Sequence, residues 1–236
     1  PLRAIHAILV LMTADEIVAE LRTHANPNNV PGMARYGISS VGTLGVNIPT
    51  IRAIAKRAGR DHHLAQQLWD TGIHEARILA AMVDEPAEVT RRQMDRWATD
   101  FDSWDVVDGV CGTLFDRTPH AYAKAIQWSA SGREYVKRAG FVLMTQLAVH
   151  DKRALDEAIL QFLPVIVRES SDERNFVKKA VNWTLRQIGK RNRRLNIAAI
   201  ATAREILELD TRSGRWIARD ALRELTSDAV QERVKD

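Results

Sequence analysis

The chain has 236 residues, 45% of them hydrophobic and 27% charged, which supplies apolar surface for a sizeable core and excludes a disordered tail. A lone cysteine, Cys111, excludes a disulfide scaffold and fits a reducing compartment, so the expected location is the cytoplasm. Lys and Arg number 34 against 30 Asp and Glu, a formal net charge of +4 with a pI near 9.4, and only the distribution of that mild excess is informative.

At the N-terminus, Ile8 to Met12 is greasy, but only Arg3 precedes it and no small-residue cleavage site follows. Residues 1–12 read as an extension or an extra turn, and 13–236 as a single repeat domain. No apolar run approaches the roughly 20 residues of a membrane helix, so no membrane partner is expected. From Thr13 onward, apolar residues recur at helical spacing and no stretch alternates as a strand does. Thr13-Ala14-Asp15-Glu16 forms a capping box, and Pro49, Pro86 and Pro119 stand near first helical turns. Turn chemistry at Asn26-Pro27-Asn28, Gly59, Gly72, Ser131-Gly132, Ser171-Asp172 and Ser213-Gly214 divides the chain into about a dozen short helices. The fold class is all-α.

In the segment from Asp102 to Asp108, Asp102 or Ser103 caps a helix on which Trp104 and Asp108 lie four apart on one face. Val107, Cys111 and Leu114 mark the buried stripe and leave Asp108 at its rim, half desolvated. Such a carboxylate either accepts a hydrogen bond from an adjacent helix or, with the indole, suits a cationic substrate. The next long helix, about Arg133 to Val149, is apolar almost all round after Lys137, the mark of an inner helix. Arg138 within it needs an anion, either Asp108 or a phosphate from outside.

Between Arg174 and Arg194 stand Arg174, Lys178, Lys179, Arg186, Lys190, Arg191, Arg193 and Arg194 with no acidic residue among them. On a helix from Asn175 to Lys190, Val177, Val181, Thr184 and Ile188 form one stripe, and Lys179, Trp183, Arg186 and Lys190 gather within about 60° on the other side. Either a neighbouring helix covers that face, with the basic stems packing round Trp183, or an indole among cations meets nucleic acid. The second reading is preferred.

Tyr135-Val136-Lys137-Arg138-Ala139, Phe176-Val177-Lys178-Lys179-Ala180 and Trp216-Ile217-Ala218-Arg219-Asp220 align as aromatic, aliphatic, variable, basic at offsets of 41 and 40 residues. A period near 40 with two helices per unit is that of HEAT and armadillo solenoids.

The runs Phe101 to Asp108, Val136 to Phe141 and Asn175 to Gln187 together resemble the AlkD-like family of DNA alkylation repair proteins, over about Thr13 to Leu225. The resemblance implies a right-handed superhelix of HEAT-like helix pairs holding duplex DNA in a concave basic face. It also implies glycosylase activity toward N3- and N7-alkylated purines without base flipping. Trp104 and Trp183 are similar to the aromatics that contact the lesion's deoxyribose. Asp108 matches the catalytic carboxylate, and Arg138 the arginine beside it that engages the DNA backbone. Tyr36 resembles an N-terminal aromatic facing the lesion, although Gly37-Ile38-Ser39-Ser40 departs from the more basic text that follows it elsewhere.

The chemistry agrees. Alkylation makes the purine a cationic leaving group, so bond rupture needs no general acid and leaves a sugar cation that one carboxylate and two indoles can stabilise, each indole by about 0.5–2 kcal/mol. No metal or cofactor is expected: His62 and His63 are adjacent and cannot both face one ion from a helix. No lysine is matched to a catalytic position as a Schiff-base candidate, which predicts a monofunctional enzyme. The DNA contacts are expected from Tyr36, Lys178, Lys179, Arg186, Lys190, Arg191, Arg193 and Arg194, and the active form is expected to be a monomer. The alternatives are a HEAT-like module that binds DNA structures without catalysis and a scaffold for proteins, which would show apolar patches in place of a basic run.

Overall fold

The computed structural model describes residues 12–234, so the reading of residues 1–12 as an extension or turn lies outside them except at Met12. The described residues hold fifteen α-helices and one short 3-10 turn. They divide into two compact units, the first ending at Glu85 and the second beginning at Pro86.

The first unit contains α1 (Ala14–Thr23), α2 (Val30–Arg35), α3 (Ile48–Ala58), α4 (His62–Asp70) and α5 (His74–Val83). The Thr13 capping box forms as its sequence predicts, the hydroxyl accepting from the Glu16 N–H while Glu16 accepts from the Thr13 N–H at 2.8 Å. Pro49 enters the first turn of α3, where its missing N–H has no partner to lose. Helix α5 packs on α3 and α4 around Ile54, Leu68, Trp69 and Leu79, all buried. The loop ahead of α3 is anchored by the buried Glu75 carboxylate, which accepts the N–H groups of Leu44, Gly45 and Val46. Gly45 has φ 78°, and a Cβ there would lie 2.2 Å from the Asn26 carbonyl oxygen.

The second unit runs α6 (Arg91–Thr99), α7 (Trp104–Thr113), the 3-10 turn Phe115–Arg117, α8 (Ala121–Ser129), α9 (Glu134–His150), α10 (Asp156–Leu160), α11 (Leu163–Glu169), α12 (Asn175–Gly189), α13 (Arg193–Glu208), α14 (Arg212–Leu225) and α15 (Asp228–Arg233). Pro86 and Pro119 stand in the turns ahead of α6 and α8 and not within their first turns. Each inner helix packs on an outer one (α9 on α8, α14 on α13) and on the inner helix of the next pair (α7 on α9, α9 on α12, α12 on α14). The 40-residue periodicity reappears in the hydrogen bonds. Thr184 is bonded to Thr145, 39 residues earlier, at 2.9 Å, and the Ser213 hydroxyl donates to the Ser170 carbonyl, 43 residues earlier, at 2.8 Å. The Asn182 amide donates to Asp220, 38 residues on, at 2.7 Å.

Helix α9 is buried from Val136 to Thr145, the inner position its nearly continuous apolar text predicts. It lies tight against α8 at Gly140, where a Cβ would meet the Ser129 backbone nitrogen at 2.5 Å and the Ala125 carbonyl at 2.9 Å. On α12 the predicted stripe is the buried one: Val177, Val181, Thr184 and Ile188 are inaccessible. No helix among the described residues is long and apolar enough to cross a membrane.

Candidate functional site

Three helices of the second unit build the site. Ser103, in extended conformation, starts α7, so Trp104 occupies the first helical position and Asp108 follows one turn later on the same face. Val107, Cys111 and Leu114 are buried as predicted, and Asp108 keeps 22% of its side chain exposed. Arg138 reaches it from α9. The guanidinium donates Nε to Oδ1 at 3.0 Å and Nη2 to Oδ2 at 2.8 Å, a bidentate pair, while Nη1 donates to the Phe176 carbonyl at the start of α12 at 2.7 Å. The anion that Arg138 needs is therefore Asp108. The same guanidinium lies 6.0 Å from the centre of the Trp104 ring, so one cation ties the indole, the carboxylate and α12 together.

Burial pushes the Asp108 carboxyl above its ordinary value, while the charge and hydrogen bonds of Arg138 pull it down and the Asp105 carboxylate adds to the rise. A carboxylate has about four lone-pair sites, of which Arg138 occupies two, leaving acceptor capacity on the open side. Burial likewise raises the Cys111 thiol well above its usual range, so this cysteine is packed and unreactive.

Trp183 stands seven residues beyond Phe176 on α12, on the same helix face and about 10 Å further along the axis. It is half-buried, and its Nε1 donates to the Gln187 side-chain oxygen at 3.2 Å. Tyr36 follows α2 in the first unit and is 77% exposed.

The basic run needs correction. Free of acid along the sequence, it is not free of acid in space, because the stack sets residues about 38 apart side by side. Arg186 and Lys190 both bind Glu224 on α14, each at 2.6 Å, and Arg186 also lies 3.6 Å from Asp220. Arg194 pairs with Glu157 at 2.7 Å, Arg174 with Asp172, and Arg193 donates to Gln231. Arg191 turns inward and donates to the carbonyls of Ala148, Asp151 and Ala154. The far face of α12 is thus divided: its C-terminal half is covered by acids of α14, as the packing alternative holds, and its N-terminal half offers cations. Lys179 is exposed with no ion-pair partner among the described residues, and Lys178 lies over the Trp216 ring at 5.2 Å.

Beside the site, buried Lys137 binds Glu169 and, at 3.2 Å, Asp172. Burial alone would raise Asp172, but bonds from Arg174 and Lys137 hold it at about 2. The two adjacent histidines face different partners: His62 Nδ1 meets Asp84 at 2.7 Å, and His63 Nε2 meets the Gln67 amide at 3.1 Å.

The model of the DNA alkylation repair enzyme family matches residues 17–225. The chain belongs to that family. A curated relative, the uncharacterised protein Lin0241 of Listeria innocua, is 22% identical over 140 residues, a span of 58% of this chain and 62% of that protein. A solved structure superposes with a TM-score of 0.75 at 19% identity, covering 94% of this chain and 96% of that one. It is described as a member of a new family related to the HEAT-like repeat DNA glycosylases with affinity for branched DNA structures. The all-helical fold of this chain is the HEAT-like repeat fold.

Proposed function

We propose that this DNA alkylation repair protein is a monofunctional DNA glycosylase that removes N3- and N7-alkylated purines from duplex DNA. The observation that carries the reading is Asp108: a partly exposed carboxylate, held on both oxygens by a buried arginine, one helical turn from a half-buried tryptophan. A carboxylate serving only to hold the fold has no need of an open side.

In this reading the C1′–N bond breaks heterolytically, and its electron pair leaves with the alkylated purine and cancels that base's positive charge. The sugar becomes the cation. Asp108 offsets the charge at C1′, and water adds there and loses a proton toward the carboxylate, leaving an abasic site. Trp104 and Trp183 lay their faces against the deoxyribose, which stabilises a cation most where water is excluded. Arg138 is a positioning residue: its donors fix the Asp108 rotamer, and two of its five N–H groups remain for a backbone phosphate. Tyr36, Lys178, Lys179 and the exposed Arg193 contact DNA, whereas Arg186, Lys190, Arg191 and Arg194 act first as ties between helices. The reaction requires neither metal nor cofactor, and the base need not leave the duplex because the chemistry is at the sugar.

A second reading, a binder of DNA structures without catalysis, is favoured by the description of the solved neighbour. Chromatography of bases released from methylated duplex DNA separates the two. Free 7-methylguanine or 3-methyladenine supports the enzyme; tight binding with no released base supports the binder.

A further inference from the structure

The repeat register places Tyr135, Phe176 and Trp216 at equivalent positions on α9, α12 and α14. The first two stack, with ring centres 5.7 Å apart. The third has no aromatic partner among the described residues: Trp216 is 41% exposed, with only the Lys178 ammonium 5.2 Å from its ring centre. Around it α14 carries Arg212, Arg215, Arg219 and Arg223 on its outward face, spanning about 16 Å of helix axis. With Trp216 and Asp220 they line an open groove of about 500 Å³. Arg212 and Arg219 are exposed and have no ion-pair partner among the described residues. Arg215 pairs with the exposed Asp210, a contact worth little in water, and Arg223, itself exposed, pairs with the half-buried Asp220.

From this arrangement we infer a second nucleic-acid site on α14 whose ligand is single-stranded DNA, its phosphates tracking the arginine row and one unpaired base stacking on Trp216. Charge complementarity identifies a polyanion. The exposed indole selects among polyanions, because the bases of an intact duplex stack on one another and offer only their edges to a side chain, whereas an unpaired base offers a face. The indole and the arginine row lie on α14, Lys178 of α12 is the one residue shared with the proposed duplex contacts, and the site does not depend on the bond-breaking chemistry of Asp108.

The test is fluorescence anisotropy of the full chain with a labelled oligothymidylate and with a blunt duplex of equal length, across a salt series. Trp216→Ala is expected to weaken oligothymidylate binding about tenfold or more and duplex binding less than about twofold, with Trp216→Phe retaining most of the affinity. Arg212→Ala combined with Arg219→Ala is expected to flatten the single-strand salt slope by about 1.4. Failure of the wild-type protein to bind oligothymidylate, an unchanged affinity in Trp216→Ala, or equal losses on both ligands would overturn the proposal. Base release from a methylated duplex, measured in parallel, reports on Asp108 and not on this site.

Discussion

Replacing Arg138 with Met keeps an apolar stem and removes the guanidinium with its charge. It leaves the Asp108 carboxylate without its bidentate donor and the Phe176 carbonyl without its Nη1 partner. Breaking a buried pair from one side typically costs about 3–5 kcal/mol, and because Asp108 keeps some exposure the lower end, about 3 kcal/mol at neutral pH, is expected. The loss has a definite pH dependence. Burial already holds the Asp108 pKa above its unfolded value, and Arg138 supplies the opposing pull, so the variant raises it further. A raised carboxylate pKa penalises the ionised folded state; the penalty is absent below the unfolded pKa and grows as pH rises through the folded one. Urea unfolding should therefore show a smaller deficit for Arg138→Met at about pH 5 than at about pH 8. The acidic limb of base excision should move to higher pH, and Arg138→Lys should restore part of both effects. A deficit below about 1 kcal/mol, or one independent of pH, would refute the assignment of Arg138 as the group that opposes the effect of burial on Asp108.

Asp172→Asn should cost about 2 kcal/mol at neutral pH, because a carboxyl held at about 2 contributes stability that is present above its ordinary pKa and lost as pH falls through the folded one; acid titration of both proteins by circular dichroism should show the difference vanish near pH 2. Gly140→Ala forces a methyl group into the backbone of α8 and should destabilise the fold by about 1–3 kcal/mol in a thermal melt. Lys179→Ala should flatten the salt slope of duplex binding by about 0.9 while leaving stability unchanged. Arg191→Ala should do the reverse, since its three carbonyl contacts are internal.

The features legible in the sequence are those written in local periodicity. The buried stripe of α12, the inner position of α9, the Thr13 cap and the 40-residue register all follow from which side chains can be desolvated. The adjacency of Trp104 and Asp108 follows from helical spacing. The choice of Arg138 for Asp108 over a phosphate was not legible, because it is made by the packing of α9 on α7. The basic run misled for the same reason, Glu224 and Asp220 lying more than thirty residues from the cations they neutralise. The α14 arginines are legible in the sequence as cations at helical spacing around Trp216.

In the proposed reaction one carboxylate, Asp108, carries the chemistry. Single-turnover release of 7-methylguanine from a methylated duplex, comparing wild type with Asp108→Asn matched for melting temperature and DNA affinity, tests it directly. A fall in rate of about 100-fold or more at unchanged affinity is expected. Near-normal release by Asp108→Asn would contradict it.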